Sequence, residues 1–158
     1  MSASLCLADA QVLIDGVRCG FLEPLLACHT MGVASSAYLE VQFFRDDQGQ
    51  AHEIDLQPSV TTGALAVWSA TGTELQTVYA RGVSTRLGAG ELESLALVVN
   101  RGCSFCTADR LAVKTMRDLG LYDRWVPLED LFSCFDPPRQ LPDPKYLRKA
   151  AQPERRSG

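Results

Sequence analysis

Short apolar runs alternate along the chain with longer segments in which apolar residues recur at helical spacing. The apolar runs predict strands over residues 5–8, 31–34, 53–56, 64–68, 103–107 and 125–127. The helical spacing predicts helices over residues 12–26 (in two pieces), 37–44, 71–87, 91–100, 109–119 and 128–135. Strands separated by helices with short connections are typical of an α/β fold. We therefore expect a three-layer α/β/α sandwich around a mostly parallel central sheet.

Polar residues and glycines set the expected boundaries of these elements. Ser35 and Ser36 are typical N-cap residues for the helix that follows them. The segment Gly88-Ala-Gly90 interrupts the helical pattern, so we expect the next helix to begin at Glu91. Residues 45–50 predict a polar turn, and the pattern is weakest from there to residue 69.

The chain divides by composition into a body and a tail. Its 158 residues are 46% hydrophobic and 22% charged, which is typical of a globular protein and excludes a fibrous or largely disordered chain. We expect one domain over 1–135 and a proline-rich basic tail over 136–158. The tail has six basic and three acidic residues and carries +3, which leaves −7 for the body. An acidic body is not a nucleic-acid binder on charge alone, whereas the tail is expected to be largely disordered alone and to add sequence-independent affinity for nucleic acid.

The sequence also predicts where the protein resides. No apolar run approaches the roughly 20 residues of a membrane span. The first residues lack the basic and apolar regions of a secretory signal. We expect a soluble cytoplasmic protein with no membrane partner.

Cysteine spacing gives little sign of a metal or redox site. Cys103 and Cys106 form the one CxxC motif, and they lie in a predicted strand rather than at the start of a helix. A structural zinc site needs a second Cys or His pair at matching spacing, and the sequence has none. We expect buried, reduced thiols and no stoichiometric zinc, because disulfides are rare in a reducing compartment. His29 and His52 are the only histidines, and no Ser or Cys has a recognisable His partner, which argues against a hydrolase triad.

Four carboxylates fall where an α/β protein places its chemistry. Asp9 and Asp109 follow predicted strands, Glu40 lies about one turn inside a helix, and Glu91 follows the glycine break. Ligands bind outside the carboxyl ends of parallel strands, so the four side chains are candidates for one cleft. The alternative is that Asp9, Glu91 and Asp109 are ordinary helix N-terminal acids, which the helix dipole favours. For Glu40 the apolar surroundings make an unpaired carboxylate expensive.

The segments around these carboxylates resemble, in order, the motifs of a known family. Residues 5–15 (LCLADAQVLID) are similar to an opening strand with a metal-binding Asp, and residues 34–41 (ASSAYLEV) to a second motif with its Glu. Residues 87–97 (LGAGELESLAL) resemble a "GExEALAL" third motif, and residues 106–110 (CTADR) a fourth. The chain thereby resembles the PIN-domain family, the fold of VapC-type toxin ribonucleases, over about residues 5–132. Each motif alone is weak, and the four in order are more specific.

The resemblance implies a divalent-metal-dependent endoribonuclease. Asp9 and Asp109 would be direct ligands, Glu40 the next, and Glu91 a ligand directly or through water. Mg²⁺ or Mn²⁺ suits such all-oxygen ligands, and would activate water and stabilise charge on the phosphate. The family also implies a toxin of a toxin–antitoxin pair, with RNA as substrate, an antitoxin protein as partner and a homodimer.

Four further residues are predicted to support this site. Gln11 stands where the family usually has Asn and is expected to affect a hydrogen bond near Asp9. Thr107 is expected to orient the cluster, unless it is only a β-former. Arg110 and Lys114 lie at i and i+4 on one helix face. They are expected either to contact phosphates or to form an ordinary solvent-exposed face.

Helix geometry separates two neighbouring glutamates. Residues at i and i+2 lie about 200° apart, so Glu91 and Glu93 cannot face the same cleft. We expect Glu91 to face it and Glu93 to lie on a flank, exposed or in an ion pair. Two other functions stay open. One is a PIN-like protein-binding module weakened in catalysis, because Glu91 stands where the family more commonly has Asp and Gln11 where it usually has Asn. The other is a metal-dependent DNA nuclease in a defence or repair complex.

Overall fold

A computed structural model describes residues 4–136 of the chain. The predictions for residues 137–158, which make up nearly all of the tail, lie outside this range. The strands are β1 (Cys6–Ala8), β2 (Met31–Ala34), β3 (Phe43–Arg45), β4 (Ala51–Glu53), β5 (Leu65–Trp68), β6 (Ser104–Cys106) and β7 (Trp125–Val126). The α-helices are α1 (Ala10–Cys19), α2 (Leu22–Cys28), α3 (Ser35–Glu40), α4 (Gln57–Thr61), α5 (Gly72–Ala80), α6 (Ala89–Arg101) and α7 (Arg110–Asp118). Two 3₁₀ helices cover Tyr122–Arg124 and Leu128–Cys134.

Five strands form a parallel central sheet in the order β5-β2-β1-β6-β7. The central strand β1 is buried along its whole length, as expected for a strand covered on both faces. Helices flank the sheet, so the fold is α/β with the layers of an α/β/α sandwich, which confirms the prediction from the sequence. Because all five strands run the same way, their carboxyl ends meet at one edge of the sheet.

Helix α6 is the longest helix within residues 4–136 and lies in the core. Its apolar stripe, with Leu95, Ala96 and Leu97 fully buried, packs over the sheet and against α3 and α5. Gly90 in its first turn permits the close approach to α3, because a Cβ there would lie 2.9 Å from the Cα of Ala37. The start of α6 is thereby fixed against the start of α3.

The predicted helix over 37–44 is wrong at both ends. Helix α3 begins at Ser35, with Ala34 as its N-cap, and it ends at Glu40. Phe43 instead begins β3, which pairs antiparallel with β4. The hairpin turn between them is stabilised by the Asp46 carboxylate, which accepts hydrogen bonds from the backbone N–H groups of Gln48 and Gln50. These local bonds favour a hairpin over the helical continuation that the two phenylalanines suggested.

Other helix and strand boundaries also differ from those that the sequence predicted. Helix α5 ends at Ala80, not near residue 87, because Gly82 adopts φ +78° and turns the chain. Helix α6 begins at Ala89 with Gly88 as its N-cap, two residues before the predicted start. The predicted strand at 53–56 is replaced by the end of β4 and the approach to α4.

The described residues were also searched for membrane-spanning segments. Within 4–136, no helix has the length and the apolar character needed to cross a bilayer.

Candidate active site

Asp9 lies at the carboxyl end of the central strand, directly after β1. Its side chain is only 8% exposed and accepts a hydrogen bond from Thr107 Oγ1 at 2.9 Å. Thr107 follows β6, whose register with β1 pairs Ala8 with Cys106, so the sheet itself brings the two side chains together. The carbonyl of Thr107 is held in turn by Trp125 Nε1 at 2.8 Å. Thr107 thus makes the hydrogen bond to Asp9 that its predicted orienting role requires.

Asp109 caps helix α7, and its charge also acts on two of the other candidate carboxylates. As the N-cap of α7 it accepts a hydrogen bond from the Ala112 N–H at 2.8 Å, and its own N–H donates to Thr107 Oγ1 at 3.1 Å. Its charge also raises the pKa values of Asp9 and Glu91. Capping the helix therefore places this carboxylate beside the other acids.

Glu91 faces the same group of acids from the first turn of α6. One of its oxygens accepts a hydrogen bond from the Gly88 N–H at 3.3 Å, which is a helix-capping contact. Burial, followed by the charges of Asp109 and Asp9, raises the pKa of Glu91 to about 7. This carboxylate therefore titrates near neutral pH.

Glu40 lies in a different environment from the one the sequence predicted. It is the last residue of α3 and is exposed, so the expected cost of burying it does not arise. Its charge nevertheless raises the pKa values of Asp9 and Glu91. Glu40 belongs to the group as its solvent-facing member.

The four carboxylates Asp9, Glu40, Glu91 and Asp109 are called the acidic cluster below. Burial is the largest cause of the raised pKa of Asp9; the charges of Asp109 and Glu40 add to it, and the Thr107 hydrogen bond opposes it. Neighbouring carboxylates that are partly buried and all charged destabilise the fold, unless some are protonated or a bound cation neutralises them. The cluster is thus a local concentration of negative charge at the carboxyl edge of the sheet.

The other predicted supporting residues are placed as follows. Gln11 donates a hydrogen bond through Nε2 to Asp15 Oδ1 at 3.0 Å. Its amide therefore contacts Asp15, whereas the motif predicts an effect near Asp9. Arg110 begins α7 and is exposed. Lys114 is also exposed, and its Nζ lies 3.6 Å from Asp118 Oδ2. Arg110 and Lys114 are therefore exposed to solvent in the half of α7 that begins at its cap, Asp109.

Glu93 is buried, which corrects the expectation of an exposed flank residue. It is 6% exposed and accepts hydrogen bonds from Ser35 Oγ, the Ser36 N–H and the Ala70 N–H at 2.7–3.0 Å. Burial acts to raise its pKa, but these hydrogen bonds outweigh burial and the pKa is lowered. Glu93 therefore ties α6 to the start of α3 and to the segment after β5.

The CxxC cysteines are buried thiols, as predicted. Cys103 is 3% exposed, Cys106 is fully buried, and neither forms a disulfide. Burial raises the pKa of the Cys106 thiol well above its ordinary value. These residues pack as small apolar side chains around β6.

Sequence reasoning missed a second group at residues 28, 29 and 134. The structure pairs Cys28 with Cys134 as a disulfide across 106 residues, contrary to the expectation that the cysteines are unpaired. His29 Nε2 lies 3.7 Å from Cys134 Sγ, so a cysteine does have a histidine neighbour. Within residues 4–136 these three are the one group of three or more His, Cys, Asp or Glu residues whose potential ligand atoms all lie within 4.8 Å of one another, so no three carboxylates of the acidic cluster approach one another that closely. The Cys28-His29 dipeptide was the only local signal, because the third residue comes from the far end of the body.

Two comparisons with known proteins, one with family models and one with curated sequences, give no match to this chain. The function must therefore be argued from the geometry of the chain itself.

Proposed function

We propose that the chain is a divalent-metal-dependent endoribonuclease whose site is the acidic cluster. One observation carries the proposal: Asp9 is buried at the carboxyl end of the central strand, among the like charges of Asp109 and Glu40. A buried carboxylate without a compensating positive charge is costly. Proteins keep such arrangements at functional sites, and ligands of parallel sheets bind at this edge.

The donor chemistry of the cluster fits Mg²⁺ or Mn²⁺. All four side chains offer oxygen ligands, which these hard cations prefer over sulfur or nitrogen. Asp9 and Asp109 are the proposed direct ligands, with Glu40 next and Glu91 acting directly or through water. A bound cation supplies an activated water and stabilises charge on the phosphate.

Residues around the cluster have defined tasks in this proposal. Thr107 Oγ1 holds the carboxylate of Asp9 and accepts from the Asp109 N–H, so one hydroxyl orients both ligands. Glu91, with a pKa of about 7, accepts or releases a proton near neutral pH. Arg110 and Lys114 are the proposed contacts to the substrate backbone.

Two exposed apolar side chains near Glu40 in the sequence are consistent with a protein partner. Leu39 is 70% exposed and directly precedes Glu40, and Phe43 is 48% exposed. An antitoxin segment that covers them would also cover Glu40. The resemblance of the sequence to VapC-type toxins adds to the proposal a cytoplasmic toxin that forms a homodimer and is inhibited by an antitoxin protein.

The test is cleavage of labelled RNA and labelled DNA by the full chain, with Mn²⁺ or with EDTA. We expect cleavage of RNA that requires the cation and that Asp9→Asn reduces by at least about 100-fold, with an unchanged circular dichroism spectrum. The matched control is Asp123→Asn, because Asp123 is exposed and precedes β7, at the opposite edge of the sheet. As a second readout, expression should arrest growth of the host, and Asp9→Asn should relieve the arrest.

Three results would redirect the proposal. Cleavage of DNA alone would make the chain a metal-dependent DNA nuclease. No cleavage of either substrate would favour a protein-binding module. Cleavage that survives Asp9→Asn in the folded protein would exclude the acidic cluster as the site.

A further inference from the structure

Cys28, His29 and Cys134, here called the sulfur cluster, lie away from the acidic cluster. Cys28 ends α2, and His29 lies two residues before β2 begins. The strands are parallel, so the start of β2 lies at the amino edge of the sheet, opposite the carboxyl edge that holds Asp9. Whatever the sulfur cluster binds is therefore separate from the proposed nuclease chemistry.

We propose that the sulfur cluster, once its disulfide is opened, binds a thiophilic divalent cation, namely Zn²⁺. The donor set consists of two thiolates and one imidazole, which Zn²⁺ favours over the oxygen ligands preferred by Mg²⁺. Three protein ligands leave a fourth tetrahedral position for water. That position is accessible, because Cys134 is exposed and the other two residues are partly exposed.

The distances within the sulfur cluster suit a tetrahedral ion. Zn–S bonds of about 2.3 Å and Zn–N bonds of about 2.0 Å place sulfur and nitrogen about 3.5 Å apart in a tetrahedron. Cys134 Sγ and His29 Nε2 lie 3.7 Å apart. The Cα atoms of Cys28 and Cys134 are 6.3 Å apart, so side-chain rotation is enough to separate the two sulfurs around an ion. His29 Nε2 exchanges its 2.7 Å hydrogen bond to the Leu131 carbonyl for the metal.

The scaffold beneath the sulfur cluster does not depend on the disulfide. Phe21, at the start of α2, packs edge to face on Phe132 at 5.3 Å between ring centroids. Leu25 of α2 and Leu131 of the last 3₁₀ helix are buried in the same core. These apolar contacts hold the two segments together after reduction, so the thiols stay close to His29. Pre-positioned ligands are what a metal site requires.

Opening the disulfide needs an external dithiol as the reductant. One thiolate of the dithiol attacks the exposed Cys134 sulfur, forms a mixed disulfide and releases the Cys28 thiolate. The second thiol of the reductant then displaces Cys134 and closes the reductant's own disulfide. Two electrons pass from the dithiol to the protein, which gains two protons as two thiols. Zn²⁺ replaces those two protons when it binds.

The test uses the full chain and Co²⁺ as a spectroscopic substitute for Zn²⁺. The chain is reduced with a dithiol, desalted under anaerobic conditions and titrated, with thiolate-to-cobalt charge-transfer bands as the readout. We expect saturation at one equivalent, displacement of Co²⁺ by Zn²⁺, and no bands in the disulfide form. Cys28→Ser and Cys134→Ser should each weaken Co²⁺ binding by about 100-fold or more, and His29→Ala by about 10-fold or more.

Two variants serve as controls. Cys19→Ser removes a free, partly exposed cysteine outside the sulfur cluster and should leave the titration unchanged. Asp9→Asn removes the proposed magnesium ligand at the other edge and should also leave the thiolate bands unchanged. Circular dichroism establishes that each variant is folded, and Cys134→Ser changes an exposed position that is expected to tolerate serine.

Several results would overturn the proposal. These are a reduced, folded chain without saturable bands, bands that persist in Cys134→Ser, bands that Asp9→Asn abolishes, and a disulfide that the dithiol does not open. None of them bears on metal-dependent RNA cleavage, so this proposal and the proposed function fail separately.

Discussion

Glu91 makes the stability of the metal-free protein dependent on pH. Its pKa in the folded chain is about 7, compared with an ordinary value of 4.5. A carboxyl group with a raised folded pKa stabilises the fold fully below its unfolded pKa, and that stabilisation is lost as the pH rises through the folded value. The relevant window is therefore about 4.5 to 7.

We predict that urea unfolding in EDTA shows this loss in the wild type and less of it in Glu91→Gln. Between about pH 5 and about pH 8, the free energy of unfolding should fall by about 1–2 kcal/mol more in the wild type than in the variant. The pKa of Asp9 is raised in both proteins, so the difference between their pH profiles reports on Glu91 alone. Parallel pH profiles would contradict the assigned burial of this carboxylate.

Glu93, in contrast to Glu91, has a structural role. Its two oxygens accept from two backbone N–H groups and one hydroxyl, and a glutamine amide would set its NH₂ group against one of those donors. We predict that Glu93→Gln lowers the free energy of unfolding by about 1–3 kcal/mol, measured by urea denaturation. Glu53→Gln, at an exposed position of β4, is the control and should have no effect. Equal urea midpoints for Glu93→Gln and the wild type would refute this role.

The sequence separated the two glutamates but could not assign the role of Glu93. Helical spacing alone requires them to point in different directions, and the structure agrees. The partners of Glu93 lie 58, 57 and 23 residues away, beyond the range of any local pattern. Glu40 shows the same limit, since its exposure depends on where α3 ends.

Among the elements, the contact between α6 and α3 controls the geometry of the acidic cluster. A methyl group at Gly90 would meet the backbone of Ala37, which cannot give way as a flexible side chain does. We predict that Gly90→Ala costs about 1–3 kcal/mol of stability and reduces cleavage, because Glu91 and Glu40 sit on the two helices that are forced apart. Thermal or urea unfolding and the RNA assay together measure both effects.

Gly72→Ala is the matched control for this prediction. Gly72 also lies in the first turn of a helix, but a Cβ there has no atom within 4 Å. Its replacement should be neutral or stabilising by up to about 1 kcal/mol, because alanine favours helices. Similar losses in both variants would attribute the effect of Gly90→Ala to something other than helix packing.

The sequence predicted the elements of the central sheet better than the hairpin. Continuous apolar runs such as residues 31–34 are typical of strands buried on both faces, and β2 matches this one completely. Phe43 and Phe44 extend the helical spacing of α3, so only the hydrogen bonds of the turn reveal that they form a strand. The pairing of Cys28 with Cys134 has no periodic signature at all, since it arises from the packing of α2 against the last 3₁₀ helix.

At the scale of the whole molecule, charge is divided between the body and the tail. The body carries the acidic cluster and a net charge of −7, whereas residues 136–158 carry +3. The proposed nuclease has an acidic body, so it needs a separate source of attraction for a polyanion. In this proposal the basic residues of the tail provide it by displacing counterions from the nucleic acid.

We predict that truncation after Phe135 weakens binding of the chain to RNA and flattens its dependence on salt. The measurement is the slope of log K against log salt concentration for a labelled oligonucleotide, with Asp9→Asn in both chains to prevent cleavage. As a control, the truncated chain should unfold at the same urea concentration as the full one. An unchanged slope would assign the tail another purpose, such as contact with a partner protein.

The pairing of β1 with β6 also determines when the acidic cluster can form during synthesis. Thr107 holds Asp9 across 98 residues of chain, so Asp9 leaves the ribosome long before its partner exists. At roughly 5–20 residues per second, the interval is about 5–20 s, in which β1 has only β2 beside it. A nascent or prematurely ended chain that lacks β6 has Asp9 but neither Thr107 nor Asp109. The acidic cluster of the proposed nuclease is therefore incomplete until β6 and the residues that follow it have been synthesised.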